Sequence, residues 1–326
     1  MEYEMNNYAE ARDKTKEHFF EPIIRLSPAF KDTIWGGTRL KNMYYRDCGY
    51  DRIGEVWYLA DTPECCSRIL GGRSDGMELS DYLSAAGRDI LGTKCRGQKE
   101  LPLLVKLIDA GAPLSVQVHP GKAYTGGSCV RPKSEYWYVI SSEPGAGVYI
   151  GFRDTVTRGE LEKRIKDGSV LELMNFFPTK PGDFFFVPAG TIHSVGGGNL
   201  ICEVQQNSTC SYRLYDFERL DSSGKPRELN IEKALAALEL GRYYPVSATE
   251  SGDFECEYFR VCVYTGSREI ALEDKSFYSL LCLRGSGSLS LSGVTVSAKA
   301  GDSFFIPAQR SVLRSRGDMT FIISNI

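Results

Sequence analysis

The sequence predicts a mainly β protein, made of two related β-domains in tandem with small helical insertions. Three observations carry that reading. The 326 residues include 33 Gly, 14 Pro and 18 Tyr, which favours many short strands joined by turns. Strand pattern is read in Leu114–His119, Leu200–Gln206 and Phe304–Pro307, and the first of these alternates apolar and polar residues strictly. Most informative is an internal repeat, in which Lys180–Val195 (KPGDFFFVPAGTIHSV) returns as Lys299–Arg314 (KAGDSFFIPAQRSVLR). Gly182-Asp183 matches Gly301-Asp302, Phe185-Phe186 matches Phe304-Phe305, and Pro188-Ala189 matches Pro307-Ala308, all at one constant offset. In each copy Gly-Asp sets a tight turn, the aromatic run a strand and Pro-Ala its end.

Helical pattern is confined to a few stretches. Glu78–Leu91 places Leu79, Leu83 and Ile90 on one side of an amphipathic helix. Thr157-Arg158-Gly159-Glu160 has the form of a capping box, followed by Leu161 and Ile165 at i, i+4 until Gly168 divides the run. Asn230 is placed to cap a third helix through Ala237 that stops near Gly241. The expected organisation is an N-terminal extension over 1–20, a first β-domain over 21–245 with a helical insertion near 157–176, and a second barrel over 246–326.

Charge and composition narrow the function. Lys plus Arg is 39 and Asp plus Glu is 42, a net charge of −3, which is not the basic balance that displaces counterions from nucleic acid. No apolar run reaches the roughly 18 residues of a membrane span, and the first twenty residues are too charged for a secretory signal. Ten Cys without C-x-x-C or regular spacing fall short of a disulfide scaffold, the adjacent Cys65-Cys66 read as two reduced thiols, and a reducing cytoplasm is expected.

Of three histidines, His18 lies in the charged extension, whereas His119 and His193 end apolar strand contexts. Taken singly, each reads more readily as a hydrogen-bonded core residue. Their neighbours change that balance. In Leu114–His119 the residues Ser115, Gln117 and His119 share the face opposite Leu114, Val116 and Val118, which then need a second layer to cover them. In Lys133–Trp137 the residues Lys133 and Glu135 share a face by the same alternation. Two imidazoles, the Glu135 carboxylate and the Gln117 amide oxygen make a metal site with an open position, which suits Zn²⁺ and equally Fe²⁺ or Mn²⁺. In Leu200–Gln206, Ile201, Glu203 and Gln205 lie together, and Ser211, Arg213 and Tyr215 form a further shared face. Glu203 and Arg213 are thereby expected to point into one cavity, with a buried ion pair as the alternative reading.

The segment G-D-x-x-x-x-P-A-G-x-x-H at Gly182–His193 resembles the cupin superfamily of small jelly-roll barrels, and Val312 stands where the second copy would need a histidine. The second barrel is thus expected to lack metal ligands. More specifically, Phe30–Gly37 (FKDTIWGG), Gly54–Trp57 (GEVW), Pro102–Leu107 (PLLVKL), Leu114–Pro120 (LSVQVHP), Lys133–Trp137 and Gln205–Leu229 resemble the short bacterial form of type I phosphomannose isomerases, from about Pro22 to the C-terminus. That resemblance implies one zinc per chain at His119, Glu135 and His193, with Gln117 as a fourth ligand. It further implies an essential Arg213, Glu203 or Lys133 in proton transfer, and Ser115 and Arg219 at the substrate phosphate. The implied activity is interconversion of mannose 6-phosphate and fructose 6-phosphate through a cis-enediol(ate), by a cytoplasmic monomer or weak homodimer binding neither nucleic acid nor membrane. A cupin of other chemistry, such as an Fe-dependent oxygenase or another sugar-phosphate isomerase, and a non-catalytic sugar-phosphate sensor are the competing readings.

Overall fold

The computed structural model describes residues 21–122, 124, 131–221, 223–245 and 253–326. The expected 1–20 extension lies outside the described residues. The architecture is mainly β, and the chain separates into two compact units that are interleaved along the sequence.

One unit holds 30–56 and the described residues from 105 to 245. Its five-stranded sheet runs in the order Met174–Pro178, Gly147–Phe152, His193–Val195, Val116–Val118, Tyr212–Tyr215. Opposite it, Phe184–Val187, Glu135–Ser142 and Asn199–Gln206 begin a six-stranded sheet that continues through Leu103–Ala110. Trp137, Val139, Val187 and Ile201 from one sheet pack on Val148, Ile150 and Val195 from the other, which is the face-to-face packing of a jelly roll. The outward Val116 and Val118 do receive a second layer. It comes from the same unit, where Leu161 and Ile165 of one helix and Ala234 and Leu235 of another cover them.

Those helices form largely as their sequences direct. Thr157 caps Arg158–Lys166 by accepting the Glu160 N–H at 3.2 Å. Gly168 at φ 76° then breaks the run, and only a short 3₁₀ turn, Val170–Leu173, follows before strand Met174–Pro178 begins. The helical insertion is therefore shorter than 157–176. Asn230 precedes helix Ile231–Ala237 without capping it, because its Oδ1 instead accepts the Arg213 N–H at 3.2 Å. The helix Arg39–Tyr44 has no local side-chain cap either. Asp109, fully buried on strand Leu103–Ala110, accepts the N–H groups of Arg39 (2.6 Å) and Leu40 (3.1 Å) together with the Arg39 Nε (2.9 Å). Gly37 must be glycine for this, since a Cβ there would lie 2.2 Å from the Asp109 carboxylate.

The other unit gathers the described residues through Ala29, Trp57–Leu104 and Asp253–Ile326. Its core, around Leu280, Phe304 and Phe321, is built on the long antiparallel pair Tyr278–Leu291 and Ser311–Asn325. Helix Leu79–Ala86 stops at Gly87 (φ 86°), so the expected Glu78–Leu91 helix finishes as a 3₁₀ turn over Arg88–Leu91. Strand Ile24–Ser27 pairs here with Ser303–Ile306, and Arg25 reaches Asp302 at 2.6 Å. Contiguous division at 245/246 places that strand elsewhere, because periodicity shows which face a strand buries and not which strand it pairs with.

The repeat seen in sequence returns in local structure. Lys180 N–H donates to Asp183 Oδ2 at 2.8 Å and Lys299 N–H to Asp302 Oδ2 at 2.9 Å, with Gly182 and Gly301 at φ 94° and 90°. Among the described residues eight cysteines are free, Cys65 and Cys66 included, while Cys210 is disulfide-bonded. No helix among them is long and apolar enough to cross a membrane.

Asp109 alone answers two helical N–H groups and a guanidinium from a fully buried position. Asp109→Ala is expected to lower unfolding stability by roughly 3–5 kcal/mol, since it strands a charged partner. Urea denaturation of the variant beside wild type measures this.

Candidate metal centre

The site forms at the polar end of the space between the two sheets. Inward residues of strand Glu135–Ser142 are Glu135, Trp137 and Val139, and the register sets Gln205, Glu203 and Ile201 of the neighbouring strand directly beside them. Polar residues therefore cluster at one end of the interior and aliphatic ones fill the rest. From the five-stranded sheet, His193 opens its strand and His119 follows Val118. His119, Glu135 and His193 are each 1% exposed, and their ligand atoms all lie within 4.8 Å of one another.

The second nitrogens of the imidazoles decide what those atoms can do. His119 Nδ1 lies 2.9 Å from the Cys210 carbonyl, and His193 Nδ1 lies 2.9 Å from the Thr191 carbonyl. A carbonyl only accepts, so each Nδ1 carries the proton and each Nε2 presents a lone pair. His119 Nε2 faces Glu135 Oε1 at 2.9 Å without hydrogen-bond geometry, and His193 Nε2 is 3.7 Å from Glu135 Oε2. Both Nε2 atoms and Glu135 Oε2 are buried without a hydrogen-bond partner. Two lone pairs and an anionic oxygen turned toward one another repel unless a cation lies among them, and this donor set fits a divalent metal.

Electrostatics keep the ligands in binding form. Burial, with Lys133 adding to it, pushes the His119 imidazole down to about 3, and burial lowers His193 as well. Burial alone would raise Glu135, but Lys133, at 2.8 Å, and the histidines hold it well below the usual carboxylate range.

The remaining predicted residues are distributed around this centre. Gln117 is the register partner of both His193 and Arg213, so these three sit side by side across adjacent strands. Tyr215 does not share the Arg213 face. A bulge between them sets Tyr215 opposite Val116, under the helices. Ser115 is buried on the strand approach to Val116. Arg213 Nη1 donates to the Glu228 carbonyl at 2.7 Å, and its Nε is buried without an acceptor. Arg219 donates to Asp216 and to the Pro113 carbonyl, each at 2.5 Å.

Glu203 pairs with a residue that the sequence reading passed over. Lys106 Nζ lies 3.0 Å from Glu203 Oε1 and 3.5 Å from Glu55 Oε2, while Trp137 Nε1 donates to Glu203 Oε2 at 2.8 Å. Burial opposes charge on Lys106, yet Glu203, Glu55 and Glu135 outweigh it and raise the ammonium. Burial, then Glu135, raises Glu203 against the pull of Lys106. The available signal was a lysine on the inward face of PLLVKL, in line with Ile108 and Ala110. Arg227 was missed too. It donates to Asp216 through Nε (2.7 Å) and Nη2 (2.5 Å), so one carboxylate holds both Arg219 and Arg227. Phe217 and Glu218, both at φ 55°, form the turn between Asp216 and Arg219, at a cost of order 1–2 kcal/mol per residue.

Among the described residues the His119, Glu135, His193 group is the one cluster of His, Cys, Asp or Glu able to hold a metal, and none lies in the 253–326 barrel. Buried carboxylate and imidazole ligands on a two-sheet barrel define a metal-site cupin. Known proteins narrow the class further. The family model for the phosphomannose isomerase type I catalytic domain matches residues 23–139, and that for the mannose-6-phosphate isomerase cupin domain matches 252–326. Mannose-6-phosphate isomerase ManA of Bacillus subtilis is 34% identical over 318 residues, 94% of this chain and 99% of ManA. The Streptococcus mutans mannose-6-phosphate isomerase is 33% identical over 317 residues, 94% and 98% of the two chains. The crystal structure of a Bacillus subtilis mannose 6-phosphate isomerase superposes with TM-score 0.83 at 33% identity, covering 94% of this chain and 100% of that one. A holo, zinc-bound mannose 6-phosphate isomerase shares the fold at TM-score 0.73 and 18% identity, over 93% and 99% of the chains. The chain belongs to the type I phosphomannose isomerase family.

Acid should unsettle this centre in the metal-free protein. Both histidines titrate below 6.5 when folded, so between the folded and unfolded values the unfolded chain binds more protons. Stability is then lost as pH falls through 6.5, at up to about 1.4 kcal/mol per pH unit for each imidazole. Glu135, depressed, adds to the loss below 4.5, whereas Glu203, raised, works in the opposite sense above 4.5. Denaturant titrations of chelator-treated protein between pH 7.5 and 5, repeated in Glu203→Gln, should show the decline. A flat profile in both would contradict the assigned imidazole states.

Proposed function

We propose that this chain is a zinc-dependent aldose–ketose isomerase that interconverts mannose 6-phosphate and fructose 6-phosphate through a cis-enediol(ate). The observation that carries the reading is the convergence of two proton-free Nε2 atoms on the Glu135 carboxylate, in a chain whose near-full-length relatives are named mannose-6-phosphate isomerases. His119, Glu135 and His193 hold the ion, with Gln117 as fourth ligand, and the zinc-bound relative supports the choice of metal.

Isomerisation moves a proton between C1 and C2, and negative charge gathers on the adjacent oxygen as the C–H bond breaks. Bound zinc supplies Lewis-acid stabilisation of that charge. Arg213 adds a fixed guanidinium beside the same oxygens, worth about 2–4 kcal/mol as for other oxyanion donors. Glu203 carries the proton. A carboxyl raised by burial and by Glu135 exchanges protons closer to neutral pH than an exposed one does. Lys133 keeps Glu135 ionised and lends its remaining N–H donors to substrate oxygens. Ser115 and Arg219 serve the substrate phosphate, where charge-assisted hydrogen bonds are strongest. The enzyme works in the cytoplasm as a monomer or weak homodimer.

A coupled assay for fructose 6-phosphate formed from mannose 6-phosphate, run with and without a chelator, tests the reading. Turnover should vanish with the metal and return on adding Zn²⁺. Arg213→Ala should keep its metal while kcat drops roughly 10²–10³-fold. Near-normal turnover in that variant would contradict the role given to Arg213.

A further inference from the structure

The loop that follows Arg213 sets two guanidinium groups on one buried carboxylate. Asp216, 5% exposed, accepts Arg219 Nη2 on Oδ1 and is gripped by Arg227 through both oxygens. A loop pin needs one guanidinium for one carboxylate, and here there are two. A third, Arg213, stands close enough that Arg227 and Arg219 both add to the burial that lowers its pKa. Beside these three cations stand Asp216 and the exposed Glu228, which also contacts Asn230, while Glu218, Asp221 and Lys225 complete the charged residues of 214–230. The Arg213 Nε has no acceptor, and among the described residues Arg227 Nη1 has none either.

The arrangement is rigid. Phe217 and Glu218 are both in the left-handed region, the Arg219 guanidinium sits 5.2 Å from the Phe217 ring centroid, and Leu220 bridges to Pro226 just before Arg227. The Arg219 Nη1 bond to the Pro113 carbonyl ties the loop to the segment that leads into Ser115. Through Arg213, Gln117 and His193 the loop begins two strand spacings from the metal centre, roughly 10 Å, a span that an open six-carbon chain and its phosphate can cross.

We propose that Arg227 is a further substrate-binding residue. Held beside Arg219 on the shared carboxylate of Asp216, it grips the dianionic phosphate of the sugar, and Asp216 is the positioning residue that sets the two guanidinium edges. With its Nε and Nη2 held by Asp216, Arg227 still offers Nη1 and the second N–H of Nη2, a planar pair of donors that matches two phosphate oxygens in a way that a mobile lysine does not. The inference rests on the hexose phosphate reading above and adds a residue that neither the sequence motifs nor the family resemblance singled out.

The test uses the full chain with its metal. In Arg227→Gln the KM for mannose 6-phosphate should rise roughly 10- to 100-fold with kcat within a few fold, and competitive inhibition by inorganic phosphate should weaken by a similar factor. Arg227→Lys should recover only part of the loss, because it keeps the charge without the fork. Asp216→Asn should raise KM in the same direction, and Arg227→Gln carries the test alone if that variant does not fold. A folded Arg227→Gln with unchanged KM and unchanged phosphate inhibition overturns the proposal, as does a loss confined to kcat. If wild type shows no turnover of mannose 6-phosphate, the isomerase reading fails separately. Calorimetry with inorganic phosphate on wild type and Arg227→Gln still decides the role of Arg227.

Discussion

Two backbone carbonyls, those of Cys210 and Thr191, fix the proton of each site imidazole on Nδ1, and the rest of the centre follows from that constraint. With Nδ1 protonated, each Nε2 can only offer a lone pair, and both offer it toward the buried Glu135 carboxylate. An apolar protein interior does not tolerate three converging electron-rich atoms unless something positive joins them. Lys133 neutralises part of the carboxylate charge from one side, at 2.8 Å, and leaves the other oxygen without a hydrogen-bond partner. The architecture serves this arrangement, since one sheet supplies Glu135 and the other supplies the histidines.

Around the centre the charges alternate in a way that keeps each group in a usable state. Lys106 is ionised because three carboxylates surround it, and it restrains the rise that burial imposes on Glu203. A buried ion pair of this kind adds little stability by itself, but removing one partner strands the other. The pair is therefore weak evidence for the strength of the fold. Asp109 is the opposite case: its partner Arg39 binds the carbonyls of Ala110, Gly198 and Asn199 and knits loops together well away from the metal ligands.

Much of this was legible in the residues. Strand alternation put Ser115, Gln117 and His119 on one face and Lys133 with Glu135 on another, and the register bears out Gln205, Glu203 and Ile201 as inward neighbours of Glu135, Trp137 and Val139. The repeat announced the paired Gly-Asp turns. What alternation could not show was partnership. Glu203 faces inward as expected, yet its cation is Lys106, since which strand lies beside Asn199–Gln206 is a matter of sheet order and not of period. The same limit hid the pairing of Ile24–Ser27 with Ser303–Ile306. A bulge turned Tyr215 away from Arg213, and the Leu220–Pro226 bridge brought Arg227 back beside Asp216. Neither leaves a mark in a hydrophobic pattern.

The central question is whether a cation resides between those three side chains. Protein stripped with a chelator and titrated with Zn²⁺ by calorimetry should take up one tightly bound ion per chain, and His193→Ala should weaken that binding by at least about 100-fold while the chain stays folded. Stripped wild type that binds no zinc, or His193→Ala that binds it as tightly as wild type, would contradict the account.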